Sequence, residues 1–270
     1  MYLEFYGLKE HPFNVTADPN FLFFSKKHKE ALSCLYYGVD QRKGLIVLTG
    51  EIGTGKTTLC RAFLNQISKS IKTAFIINPF LSGLQLLKAI ADDLGIQILG
   101  KTKLSFILEL NKFLIKQSEA GNNVVLIIDE AQNLKAKELE EIRLLSNLET
   151  EKHKLLQIIL VGQPELNQKL QLYNLRQLKQ RVMVHYHILP LDEDETSSYI
   201  YHRLTVAGCD GSIKFSPLAI KKIYGFSQGT PRLINLICDR VLLLGFIREK
   251  RYIDEEMIGL CINEISQILE

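Results

Sequence analysis

The segment Gly50-Glu51-Ile52-Gly53-Thr54-Gly55-Lys56-Thr57 places glycines, a lysine and a hydroxyl at the spacing that suits a polyphosphate. Gly50, Gly53 and Gly55 let the backbone take conformations closed to other residues, so that successive N–H groups can converge on phosphate oxygens. Lys56 would neutralise the β- and γ-phosphates, and Thr57 would offer its hydroxyl to Mg2+. With Thr58, the run Gly50, Glu51, Ile52, Gly53, Thr54, Gly55, Lys56, Thr57, Thr58 is the expected nucleotide contact. A second pattern, NVVLIIDEAQ, ends an apolar stretch on Asp129 and Glu130. Asp129 would hold Mg2+ directly or through water, and Glu130 is placed to orient and deprotonate an attacking water. The two patterns together predict binding and hydrolysis of Mg2+·ATP.

A pattern as short as the first recurs by chance, so its flanks decide. The apolar run GLIVLT (44–49) precedes it, and KTTLCRAFLNQISKS, with apolar residues at three- and four-residue spacing, follows. The strand–loop–helix order points the positive end of a helix at the phosphates. Further strands are expected at TAFIIN (73–78), NVVLIID (123–129), LLQIILVG (155–162) and RVMVHYHI (181–188). The first four strands are nearly continuous apolar runs, as in parallel sheets covered on both faces. Helical patterns separate them: SGLQLLKAIADDLG, LSFILELNKFLIKQS and AKELEEIRLLSNLET. The alternation predicts an α/β fold, a three-layer parallel sheet with right-handed crossovers. Asp129 and Glu130 then fall at the carboxyl edge of the sheet, where open α/β folds bind ligands.

No strand pattern follows LPLDEDE (189–195). DETSSYIYHRLTVAG, SPLAIKKIYGFSQ, TPRLINLICDRVLLLGFI and DEEMIGLCINEISQI each open near Asp, Ser or Thr, as helix N-caps do, and predict a small all-helical lid. Pro231 suits the first helical position. The domain map expected is residues 1–40, an aromatic-rich segment and helix packing on the nucleotide site; 41–190, the phosphate-binding core; and 191–270, the lid.

The formal charge of +3, from 33 basic and 30 acidic residues, lacks the concentrated basic face of a nucleic-acid binder. Lys26-Lys27 with Lys29, Lys221-Lys222, and Arg248 with Lys250-Arg251 read as solvated helix ends and turns. Five scattered cysteines, none in a CxxC pair, fit a reducing cytosol rather than a disulfide framework or a zinc site. The N-terminus lacks the pattern of a signal peptide, and VVLII and VLLLGFI fall far short of the ~20 residues that span a bilayer. The histidines, His185 and His187 among them, show no spacing that suggests a site.

These motifs and the helical module resemble the AAA+ ATPases. The resemblance is closer to one branch, the ATPases of the general secretion pathway A family, which are similar in turn to transposition helper ATPases. The resemblance is carried by MYLEFYGLKEHPFNVTADPNFLFFSKKHKEAL, GEIGTGKTTL, LIIDEAQNL, LVGQPEL, LRQLKQRV and GTPRLINLICDRVLL. It implies that Gln163 is a sensor of the γ-phosphate or the attacking water. It implies further that Arg181, or alternatively Arg176, is an arginine finger given in trans, and that Arg232 reaches from the lid to the nucleotide. His28 and the helix after it would wall the base side of the pocket; Phe13, Phe21, Phe23 and Phe24 read as core packing. The implied partners are further copies of the chain in a homo-oligomer and an inner-membrane secretion or assembly system. The location would be cytoplasmic, as a stand-alone ATPase or as the cytoplasmic portion of an inner-membrane protein. The alternative is a DNA-associated regulator like the transposition helpers, against which the near-neutral charge argues.

Overall fold

The computed structural model describes residues 2–77, 80–98 and 100–269. Its chain forms two compact units, one of residues 29–51 and 59–188, the other of residues 1–28, 52–58 and 189–270.

The first unit is built on the strands β1 (Leu45–Gly50), β2 (Lys72–Ile76), β3 (Val124–Ile128), β4 (Gln157–Gly162) and β5 (Val182–Ile188). Their order is β2-β3-β4-β1-β5, and every pairing is parallel. Sequence and position agree for β1, β3 and β4, which are buried at every residue and lie inside the sheet, but not for β2, whose apolar run was expected to be covered on both faces. At the edges, β2 and β5 are partly exposed. Asn78, the last residue of the expected second strand, lies outside the described residues. Helices Gly83–Asp93, Lys103–Glu119 and Ala136–Leu145 follow β2 and β3 as their periodicity predicts. Their apolar faces, including Leu86, Ile90, Leu110, Leu114, Leu139 and Ile142, share one core with Leu45, Leu126, Ile158 and Leu160.

The second unit holds helices Glu193–Val206, Pro217–Ser227, Pro231–Ile247 and Glu255–Leu269. Asp192 accepts from the Glu195 N–H at 2.7 Å, Ser216 Oγ accepts from the Ala219 N–H at 3.0 Å, and prolines 217 and 231 occupy first-turn positions. The expectation that no strand follows residue 195 needs one amendment. β6 (Lys214–Phe215) and β7 (Tyr252–Ile253) form a short parallel pair, and two residues are too few to show an alternating pattern.

The N-terminal segment belongs to this unit's core. Tyr2, Tyr6, Phe13 and Phe21 pack with Ile200, Ile237, Val241 and Ile258. The Tyr6 hydroxyl donates towards the carbonyls of Leu242 and Lys250, each 3.1 Å away. Buried Arg203 donates to the carbonyls of Pro12 and Asn14 and stacks over Phe21. The four phenylalanines read as packing are buried or half-buried. Among the described residues, no helix is long and apolar enough to cross a membrane.

The turn into Pro231–Ile247 hinges on Gly229, whose φ is +72° and whose O accepts from the Leu191 N–H at 2.9 Å. A Cβ there would sit 1.8 Å from Leu191 O. We expect Gly229→Ala to destabilise the chain by at least about 2 kcal/mol, read as a lower urea midpoint. A midpoint equal to wild type would show that this turn does not need glycine.

Candidate active site

β1 ends at Gly50, and the helix Lys56–Gln66 begins directly after the glycine-rich loop. Gly53 and Gly55 take φ values of +82° and +90°, a region that favours glycine. Space requires glycine as well: a Cβ at Gly53 would lie 2.5 Å from Arg232 Cβ, and one at Gly55 would lie 3.3 Å from His28 Nε2. Thr54 and Lys56 are 1% and 6% exposed, while Thr57 and Thr58 are half-buried. Glycines with the backbone freedom for converging N–H groups, a lysine on the first turn of an eleven-residue helix and two adjacent hydroxyls fit a polyphosphate. Arg232 meets this loop: its backbone N–H donates to Gly53 O at 3.2 Å, while its side chain is exposed.

His28 is built into the same loop. Its Nε2–H donates to Thr54 O at 2.9 Å, because a carbonyl can only accept, and Nδ1 lies 2.7 Å from Ser25 Oγ. Burial holds the imidazole below the usual histidine value of 6.5, against opposing pulls from the Thr54 carbonyl and the Glu195 carboxylate. A neutral ring thus supports a loop carbonyl from a residue 26 positions away.

In the sheet unit, Asp129 follows β3 and is 1% exposed, and its N–H donates to Ile76 O at 2.9 Å. Its Oδ1 accepts from the Glu130 N–H at 2.9 Å. Glu130 sits in the left-handed region at φ 54° and ψ 37°, a conformation that costs a non-glycine residue roughly 1–2 kcal/mol. That turn swings its carboxylate to the end of β4, where Gln163 Nε2 donates to Glu130 Oε2 at 3.2 Å. Asp129, Glu130 and Gln163, three of the residues expected to act together, therefore lie at one edge of the sheet. Gln132, not among the expected site residues, joins them by donating to the same Oε2. The sequence signal for it was a polar residue inside the DEAQN turn, between an apolar strand and a helix.

The arginines expected in trans stand elsewhere. Arg181 precedes β5, whose Val182 pairs with Leu45 at the start of β1, so it lies at the opposite edge of the sheet. Arg176 is exposed, with its guanidinium 4.6 Å over the Tyr173 ring and Nη1 donating to the Tyr173 hydroxyl. His185 and His187, whose spacing suggests no site, make hydrogen bonds that link neighbouring elements. Thr49 Oγ1 lies 3.0 Å from His187 Nδ1, and His185 Nε2 lies 3.1 Å from Asn167 Oδ1, which ties β1, β5 and the helix Pro164–Leu170 together. Spacing along one strand cannot show contacts made across to its neighbours.

The histidines give stability a predictable pH dependence. His28, His185 and His202 are all held below 6.5, chiefly by burial. Below that pH the unfolded chain takes up protons before the folded one, so stability that is complete above pH 6.5 is lost as pH falls through and below it. We expect the urea midpoint to decline in that window and His28→Gln to flatten the decline. An unchanged slope in the variant would show that His28 is not a source of it.

Comparison with known proteins agrees with this geometry. The family described as "AAA domain" matches residues 39–170. General secretion pathway protein A of Aeromonas hydrophila is 44% identical over 269 residues, which cover 99% of this chain and 49% of that protein. The chain thus spans about half the length of this relative. Among solved structures, the Aeropyrum pernix ORC2 protein (ADPNP-ADP complexes) superposes with a TM-score of 0.69 at 15% identity, covering 95% of this chain and 72% of that one. The Walker-type ATPase of Pyrococcus abyssi does so with a TM-score of 0.66 at 17% identity, covering 96% and 77%. Likeness at such identity speaks for the fold alone. Residues 39–170 thus match an AAA domain, and almost the whole chain is similar to general secretion pathway protein A.

Proposed function

We propose that this AAA+ ATPase is Mg2+-dependent and that its cycle drives conformational change in an envelope or secretion assembly system. The observation that carries the reading is the Glu130 carboxylate at the end of β3, fixed by two amides beside the buried Asp129. In this reading residues 50–58 bind the nucleotide through backbone N–H groups, and Lys56 neutralises the β- and γ-phosphates. Thr57 and Asp129 would hold Mg2+, which when bound supplies further charge neutralisation. Glu130 orients the attacking water and accepts its proton, and Gln163 registers the terminal phosphate or that water. Arg232, next to Gly53, reports the nucleotide to the helical module, and Arg181 acts on a neighbouring copy. The working division is a core over 41–190, a lid over 191–270 and a nucleotide-site wall within 1–40.

The secretion setting rests on the named relative. With it come a cytoplasmic location beside the inner membrane, membrane-bound assembly partners and a homo-oligomeric active form.

The test is ATPase rate per subunit against protein concentration, with Mg2+ or EDTA and with or without duplex DNA. We expect a rate that rises with concentration and vanishes in EDTA. It should fall by about 100-fold or more in Glu130→Gln, the scale of a lost general base. Arg181→Ala should lose the concentration-dependent part, since an arginine at the γ-phosphate is worth roughly 10³–10⁵. A flat rate indifferent to both substitutions would overturn the proposal. Stimulation by DNA that weakens steeply with salt would move the setting from secretion to DNA.

A further inference from the structure

Gln132 is left without a role by the assignments above. It is 9% exposed, two residues after Glu130, and its amide faces two groups at once. The nitrogen donates to Glu130 Oε2, the oxygen that also accepts from Gln163 Nε2. The oxygen accepts from the Gln163 backbone N–H at 3.1 Å. A carboxylate can only accept and a backbone N–H can only donate, so turning the amide over would break both bonds. The orientation is therefore set by chemistry. The backbone beneath is held separately, by Lys169 Nζ donating to the carbonyls of Gln132 and Leu134. Space for the amide comes from Gly162, where a Cβ would stand 2.8 Å from Gln132 Oε1.

We propose that Gln132 is a positioning residue that fixes the Glu130 carboxylate and couples it to Gln163 at the end of β4. A movement of Gln163 when the terminal phosphate arrives or leaves is passed to the base through one rigid amide. The inference rests on the reading of Glu130 as the general base. It adds a route by which the state of the phosphate reaches the group that activates water.

Two substitutions in the full chain test it, with kcat, the KM for ATP and thermal midpoint measured for each. Gln132→Leu fills the space and removes both bonds. Gln132→Glu keeps the acceptor for Gln163 but removes the donor to Glu130. Misplacing a reacting group by about 1 Å can cost on the order of 100-fold, so both variants should lose at least ~10-fold in kcat, with KM within about 2-fold and the thermal midpoint unchanged. Gly162→Ala should act in the same direction by displacing the amide without altering any polar group. In a Glu130→Gln background, Gln132→Leu should cost nothing more. A wild-type kcat in either Gln132 variant, or a loss confined to KM or stability, would overturn the inference. Full turnover by Glu130→Gln alone would overturn the base assignment itself, and this inference with it.

Discussion

Because β1, β3 and β4 are parallel neighbours, Gly50, Ile128 and Gly162 finish at one edge of the sheet, and whatever follows them in sequence emerges there. A parallel sheet needs cover on both faces, which consumes the side chains of its central strands in packing. Polar chemistry is therefore pushed beyond the last apolar residue of each strand. Asp129 and Glu130 come immediately after Ile128, and Gln163 immediately after Gly162. Their chemistry depends on strand order: with β3 and β4 adjacent, a carboxylate leaving one strand can reach an amide leaving the other.

That edge carries a local cost in an otherwise regular domain. Glu130 takes a left-handed backbone, and the bond its N–H donates to Asp129 Oδ1, with those its carboxylate accepts from Gln132 and Gln163, stabilises that conformation. A strained residue surrounded by donors holds its side chain in place more firmly than a relaxed one would. The second unit shows the same economy: His28 supports the Thr54 carbonyl and Arg232 holds the Gly53 carbonyl, so a side-chain and a main-chain donor together shape the loop.

Much of this was legible in the residues. The central strands were readable because burial on both faces leaves an uninterrupted apolar run, and the glycine-rich loop because its glycines, lysine and hydroxyl stand between a strand pattern and a helix pattern. The Asp129-Glu130 pair was readable from its place after such a run. Gln132 was not, because its contacts depend on a left-handed turn and on strand order, and neither has a local sequence mark. The Thr49, Asn167, His185 and His187 cluster was hidden for the same reason. The aromatic N-terminus was expected to pack on the nucleotide site; Tyr2, Tyr6, Phe13 and Phe21 lie in the core of the helical unit, a partner that apolar residues do not name in sequence. Arg203 carries no local sequence mark either, yet it is buried on two carbonyls nearly two hundred positions earlier in the chain.

That clamp bears on how the chain is made. Tyr2, Tyr6, Pro12 and Asn14 leave the ribosome well before Arg203, Asp239, Leu242 and Lys250, to which they bond. The helical unit cannot close until residue 250 has emerged. The sheet unit, whose last strand ends at Ile188, can form while translation is still under way. Until then the aromatic leader waits with its apolar faces open, so nascent chains that stall between these two points would present the surface that chaperones recognise.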